Sequence, residues 1–240
     1  SSSPSMNNVT ATATGGTNNY GVYNISSSSP SMTDVTATGS GGTNNYGVKN
    51  GSSSPTMNNV TATGTGGSFS YGVHNNSSSS PTMNNVTATA TGGTVRDHGV
   101  YNDNSSPTMN NVTATATATG GGESYGVYNI SSSPSMNNVT ATATGGTNNN
   151  YGVYNSSSSS LTMTNVTATA TGGTNNYGVR NFSSSSSMNN VTATATGGTN
   201  SYGVYNSSSS SLTMNNVTAT GTGGTFNYGV YNFSSSSSIR

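Results

Sequence analysis

The sequence predicts an all-β fold, a parallel β-helix (β-solenoid) with three short strands in each coil of about 26 residues and about nine coils in all. Three observations predict it. A motif of nearly constant length recurs from one end of the chain to the other. Inside each motif, apolar residues alternate with Thr. Paired Gly and paired Asn stand between the alternating stretches, where a chain can turn.

The period comes first. The nine methionines, Met6, Met32, Met57, Met83, Met109, Met136, Met163, Met188 and Met214, lie 25 to 27 residues apart. Three residues after each comes a valine, giving a core column of Val9, Val35, Val60, Val86, Val112, Val139, Val166, Val191 and Val217. Another valine column, from Val22 to Val230, sits in Gly-Val pairs. One unit reads SSSPSMNNVTATATGGTNNYGVYN. Residues 1–240 are expected to form a single uncapped array of nine such units with a C-terminal stub of a tenth, in which Ile239 takes the Met place. A flexible Ser- and Thr-rich linker has no reason to keep such columns.

The elements of one unit follow in order. Pro4-Ser5-Met6 reads as a short extended piece with Pro4 and Met6 on one side. Asn7-Asn8 supplies a corner, because Asn tolerates left-handed backbone angles. Val9 to Thr14 alternates with period two, which fits a half-buried strand and no amphipathic helix. Val9, Ala11 and Ala13 share the inner face; Thr10, Thr12 and Thr14 share the outer one. Gly15-Gly16 permits the next turn. In the last strand, Tyr20 to Asn24, Val22 is expected to point inward and Tyr23 outward, with Tyr20 grouped with the inward residues. One coil buries too little to stand alone. A buried Val contributes roughly 1.5–3 kcal/mol, whereas ordering the backbone costs about 1–2 kcal/mol per residue. Stacked coils, about 4.8 Å apart, add interstrand hydrogen bonds and a continuous core.

Composition narrows function. Four basic and four acidic residues give a net charge of zero, so no basic surface exists to neutralise phosphates and no nucleic-acid partner is expected. The chain has no Cys, which removes disulfide and thiol chemistry. No apolar run approaches the ~20 residues of a membrane-spanning helix. Ser, Thr, Asn and Gly dominate, at 47, 41, 37 and 32 residues. Low net charge and only six Pro speak against disorder.

The repeat, with its fixed register and its NYGVYN strand, resembles that of bacterial right-handed parallel β-helix proteins with a pectin-lyase-like fold. The resemblance covers all 240 residues. It implies a right-handed coil, in line with the general rule for parallel connections. It implies no single activity, since that fold carries lyases, hydrolases, adhesins and inert rods.

Stacking brings equivalent residues together. Asn24, Asn50, Asn75, Asn102, Asn129, Asn155, Asn181, Asn206 and Asn232 close the Gly-Val strand in every unit and are expected to form a structural amide ladder. The preceding column holds Tyr23, Lys49, His74, Tyr101, Tyr128, Tyr154, Arg180, Tyr205 and Tyr231. It reads as an outward aromatic ladder with interleaved cations, or as a strip that binds glycans through Tyr23, Tyr101 and Tyr128. Thr10, Thr12 and Thr14 with their equivalents form a flat Thr face, interrupted at Gly39 and Ser40. Those Thr rows resemble the ice-binding face of insect antifreeze β-helices, without that family's disulfides or short coil.

Catalytic candidates are few. The acids are Asp34, Asp97, Asp103 and Glu123. One local cluster exists, Arg96, Asp97, His98 and Asp103, and register stacks Glu123 over Arg96 as a surface ion pair. No phosphate loop, dinucleotide fingerprint or calcium repeat is present. Asn-Val-Thr recurs at eight positions from Asn8 to Asn216, a formal glycosylation acceptor that arises cheaply in this composition. No catalytic, metal or cofactor site is expected. The chain opens in mid-pattern and closes as a tenth unit begins, and uncapped strand edges favour head-to-tail contacts with further copies. The expectation is a non-catalytic structural protein, an extracellular or cell-surface fibre, stalk or filament whose partner is itself. The alternatives are ice binding by the Thr face and glycan adhesion by the Tyr ladder.

Overall fold

The computed structural model describes residues 3–157, 159–208 and 210–239. Its regular elements are all strands, paired in parallel into two sheets of 11 and nine strands. Each coil contributes one long strand to the first sheet and one shorter strand to the second. In the first coil these are Ser5–Thr14 and Asn18–Ile25. Equivalent residues of successive coils are direct partners throughout: Met109 pairs with Met83 and Met136, and Val127 with Val100 and Val153. The result is a β-solenoid of about nine coils.

Two of the three expected extended pieces share one sheet. The corner at Asn8 does form, with Asn8 at φ 54° and its equivalents at 52–55°. It acts as a bulge that bends a continuous strand, since the register passes from Asn7 to Val9 without pairing Asn8. In the third coil the strand divides there into Thr56–Asn58 and Thr61–Thr65, although Asn59 N–H still donates to Asn84 O at 3.1 Å. The other corners lie at the paired Gly and at the Ser run. The Ser run takes up differences in unit length, and in the fourth to sixth coils the Gly corner does too, with Asp97 six residues after Thr91 where the paired Ser124 is seven after Thr117. Ser26 and Ser27 are both left-handed in the first coil, whereas Ser52 alone is in the second.

The predicted Val and Met columns lie in the core. The Val column from Val35 to Val191 is 1% exposed, and the Met column from Met32 to Met188 at most 1%. Val9 and Val217, in the first and ninth coils, are partly buried. The Pro column continues as Leu161, Ser186 and Leu212, in register with one another.

A second bulge lies in the shorter strand. Pairing passes from Tyr125 to Val127 without Gly126, and Gly126 and Val127 are both buried. Two successive residues thus face inward, where strict alternation permits one. The space explains the glycine. A Cβ on Gly126 would lie 2.6 Å from Gly152 O and 2.7 Å from Thr142 N, on the neighbouring coil and the opposite sheet.

Candidate functional site

The bulge at the Gly-Val pair sets the outer surface. An extra inward residue restores the outward direction after three positions rather than two. Tyr20 and Tyr23 therefore share the outer face, with ring centroids 4.7 Å apart. This corrects the expected inward place of Tyr20. The Tyr20 column, which includes Tyr46, Tyr71, His98 and Tyr125, stacks beside the Tyr23 column, so the aromatic stripe is two columns wide. Along it, Tyr46–Tyr71, Tyr71–His98 and His98–Tyr125 centroids lie 4.7, 5.0 and 4.9 Å apart, with planes within 6°. Near the far end Tyr205 turns edge-on, at 84° to Tyr177.

The cations lie where register places them. Lys49 Nζ is 4.8 Å from the Tyr46 centroid and 5.7 Å from that of Tyr23. Arg180 Cζ is 5.1 Å from both Tyr154 and Tyr177, and its Nη1 donates to Tyr151 Oη at 3.0 Å. Burial lowers the Lys49 ammonium below its ordinary value and raises the phenols of Tyr46, Tyr71, Tyr101, Tyr125 and Tyr151, Tyr71 to about 12. His74 and His98 are buried in the stripe, and both nitrogens of His74 and Nδ1 of His98 find no protein partner. Burial, and then Lys49, pushes His74 down to about 3. Neighbouring rings occupy the faces of most of the stripe. Tyr101 and Tyr128 thus offer edges and hydroxyls, and only Tyr23, 43% exposed in the first coil, stands well out. A sugar that packs on aromatic faces finds few of them free.

The Asn ladder forms as expected over seven coils. Asn24 Nδ2 donates to Asn50 Oδ1 at 2.9 Å, and the chain continues through Asn75, Asn102, Asn129 and Asn155 to Asn181. There it is interrupted. Ser186, in the Pro column, donates to Asn181 Oδ1 at 2.9 Å, and Asn181 Nδ2 is buried without a protein acceptor. Asn206 turns instead to Ser237 Oγ, and Ser237 donates on to Asn232 Oδ1. Sequence reading missed further ladders, two of which differ most from the buried one. One runs through the exposed left-handed Asn column, where Asn85 donates to Asn59 and Asn111 to Asn85. It runs the opposite way along the axis from the buried ladder. The other braces the Gly corner, where Asn45 accepts from Gly42 N–H and donates to Gly42 O, both at 2.9 Å. Repetition of Asn at these positions was the available signal.

The Thr face lies where alternation places it. Thr10, Thr12 and Thr14 are exposed in the first coil. Their three columns hold Thr in every coil except at Ser40, in unbroken register. Gly39 interrupts the inward Ala column, not this face.

The acidic cluster separates. Asp97 points inward at the Gly corner, fully buried, and its carboxylate accepts from Gly93 N–H at 3.0 and 3.1 Å. Burial pushes its pKa up to about 6, against the lowering effect of that bond. Arg96 and His98 flank it on the other face of the strand. Glu123 meets Arg96 as expected, with Nε to Oε2 at 3.1 Å. It also accepts from Tyr125 Oη and Asn149 Nδ2, each at 2.8 Å. Burial would raise Glu123, but these bonds and Arg96 hold it below the ordinary carboxylate range. Among the described residues no group of three His, Asp or Glu side chains converges as a metal site.

No protein-family profile matches the sequence, and no curated protein matches it. Solved structures give distant likenesses. The catalytic domain of a GH87 α-1,3-glucanase is 11% identical with a TM-score of 0.34, over 88% of this chain and 48% of that domain. The A-module of a mannuronan C-5 epimerase from Azotobacter vinelandii is 13% identical with a TM-score of 0.29, over 90% of this chain and 74% of that module. This chain thus spans about half the length of the glucanase domain. Likenesses at this level carry no functional argument.

Proposed function

We propose that the chain is a non-catalytic structural rod that builds an extracellular or cell-surface filament or stalk by stacking coil on coil, head to tail. The observation that supports this reading is translational identity. Core, amide, aromatic and Thr columns pass from coil to coil in one register, so the axial face of any interior coil is complementary to that of every other. Such a surface extends equally well with another coil of the same chain or of another copy. The resemblance to right-handed pectin-lyase-like β-helices is compatible with it. Electron microscopy of the purified chain tests the reading. Nine coils span about 43 Å, and growth of longer rods of the same width with concentration is expected. Monodisperse short rods at every concentration would refute head-to-tail assembly.

A second reading rests on the Thr face, whose hydroxyl-and-methyl columns, lacking a methyl at Ser40, favour an ordered water lattice as ligand. Thermal hysteresis that disappears on replacing Thr115 and Thr142 by Tyr supports it; no hysteresis in the parent chain ends it.

A further inference from the structure

The two columns of the aromatic stripe back each other up. Four coils have lost a tyrosine from one column, to Lys49, His74, His98 or Arg180, and each keeps one in the other: Tyr46, Tyr71, Tyr101 and Tyr177. The remaining coils have two. Every coil therefore holds at least one phenol in contact with the next. Steps along this path are 4.7 Å from Tyr46 to Tyr71, 5.2 Å from Tyr101 to Tyr128 and 5.1 Å from Tyr177 to Tyr202. The longest is 6.1 Å, from Tyr71 to Tyr101, and the His98 ring stacks on both. Stacking alone is served by any flat ring; tyrosine adds a phenol that can lose an electron together with a proton. One phenol has a proton acceptor in place. Tyr125 Oη donates to Glu123 Oε2 at 2.8 Å, and Arg96 Nε holds the same oxygen at 3.1 Å.

We propose that the tyrosine stripe conducts one-electron oxidising equivalents along the rod and that they come to rest at Tyr125. The oxidant is an outer-sphere one-electron acceptor at the surface. It takes one electron from Tyr20 or Tyr23 and is reduced by one, while the phenolic proton passes to water. At each later step the next tyrosine gives one electron to the phenoxyl before it and loses its own proton, as the earlier phenol regains one. At Tyr125 the proton passes to Glu123 Oε2, and the electron hole stays on the ring.

The absence of Cys allows a clean test. Thr17 is exposed beside the first coil's tyrosines, so Thr17→Cys carries a single ruthenium tris(bipyridine) label. Flash excitation with an irreversible electron acceptor leaves ruthenium(III) at that coil. Radicals are captured with a nitroso spin trap and mapped by mass spectrometry. Adducts at Tyr125 are expected. Tyr101→Phe and, separately, Tyr71→Phe keep a stacked ring but remove the phenol. Each is expected to lose the adducts in later coils and retain that at Tyr46, with an unchanged circular dichroism spectrum. Glu123→Gln is expected to shift adducts from Tyr125 to its neighbours. Adducts confined to Tyr20 and Tyr23 in the labelled parent would overturn the proposal. So would Tyr125 adducts that survive both Phe variants. An unchanged adduct distribution in Glu123→Gln would overturn Tyr125 as the resting point.

Discussion

Two residues show how little freedom the coil leaves. Gly126 stands where the two sheets approach closely, and the nearest atoms around its absent Cβ are backbone. Gly126→Ala therefore cannot be relieved by a rotamer change. It is expected to cost about 1–3 kcal/mol or more, read as a lower midpoint of urea unfolding. Gly121→Ala, where a Cβ meets only Thr147 Oγ1 at 3.8 Å, is the control expected to cost far less. Asp97 occupies the corner column where Asn45, Asn150 and Asn176 both accept and donate. A carboxylate only accepts, and it is charged. Its folded pKa, about 6, lies above the ordinary 3.8, so its stabilising share is full below pH 4 and is lost as pH rises through 6. Asp97→Asn is expected to raise stability at pH 7 by about 2–3 kcal/mol and to change it little at pH 4. Equal gains at both pH values would show that charge is not the cause.

At the scale of the element, the aromatic stripe has the opposite pH dependence. His74 and His98 resist protonation because their rings are buried, with Lys49 close to His74 and with Arg96 close to His98; His74 also opposes a charge on His98. Depressed folded values mean full stability above about pH 6.5 and progressive loss as pH falls toward 3. The facing Tyr46, Tyr71, Tyr101 and Tyr125, whose phenols burial raises, stay neutral over that range and offer no counter-charge. Replacing both, His74→Tyr and His98→Tyr, returns the stripe to its commonest residue. The variant is expected to retain its thermal midpoint at pH 4, where the parent loses a few kcal/mol. The stripe also marks the limit of what sequence reveals. Period, Met and Val columns, Thr face and amide ladder all follow from alternation plus translation, and the structure repeats them. The position of Tyr20 does not, because one bulged residue reverses every side chain before it, and alternation counted from Val22 cannot see the bulge. The recurrent Gly before that Val was the local sign. The separation of Asp97 from Glu123 was legible from strand parity. The interruption at Asn181 was not, because it needs Ser186 from the next coil.

For the whole molecule, stability is expected to behave as a sum over coils and their nearest-neighbour interfaces. Excising residues 136–162 joins Ser135 to Met163, and register already pairs Met136 with Met163. The shortened chain is expected to keep its circular dichroism spectrum per residue and to be shorter by about 4.8 Å in small-angle scattering. Collapse to a random-coil spectrum would mean that the coils are not interchangeable. The variable Ser corners give this modularity a consequence for inheritance. Because slack between units is absorbed outside the sheets, duplication or loss of a whole unit in the coding sequence alters one dimension and leaves the cross-section untouched. Copy number then serves as a ruler, and related chains from different lineages can differ in reach without any new contact having to evolve.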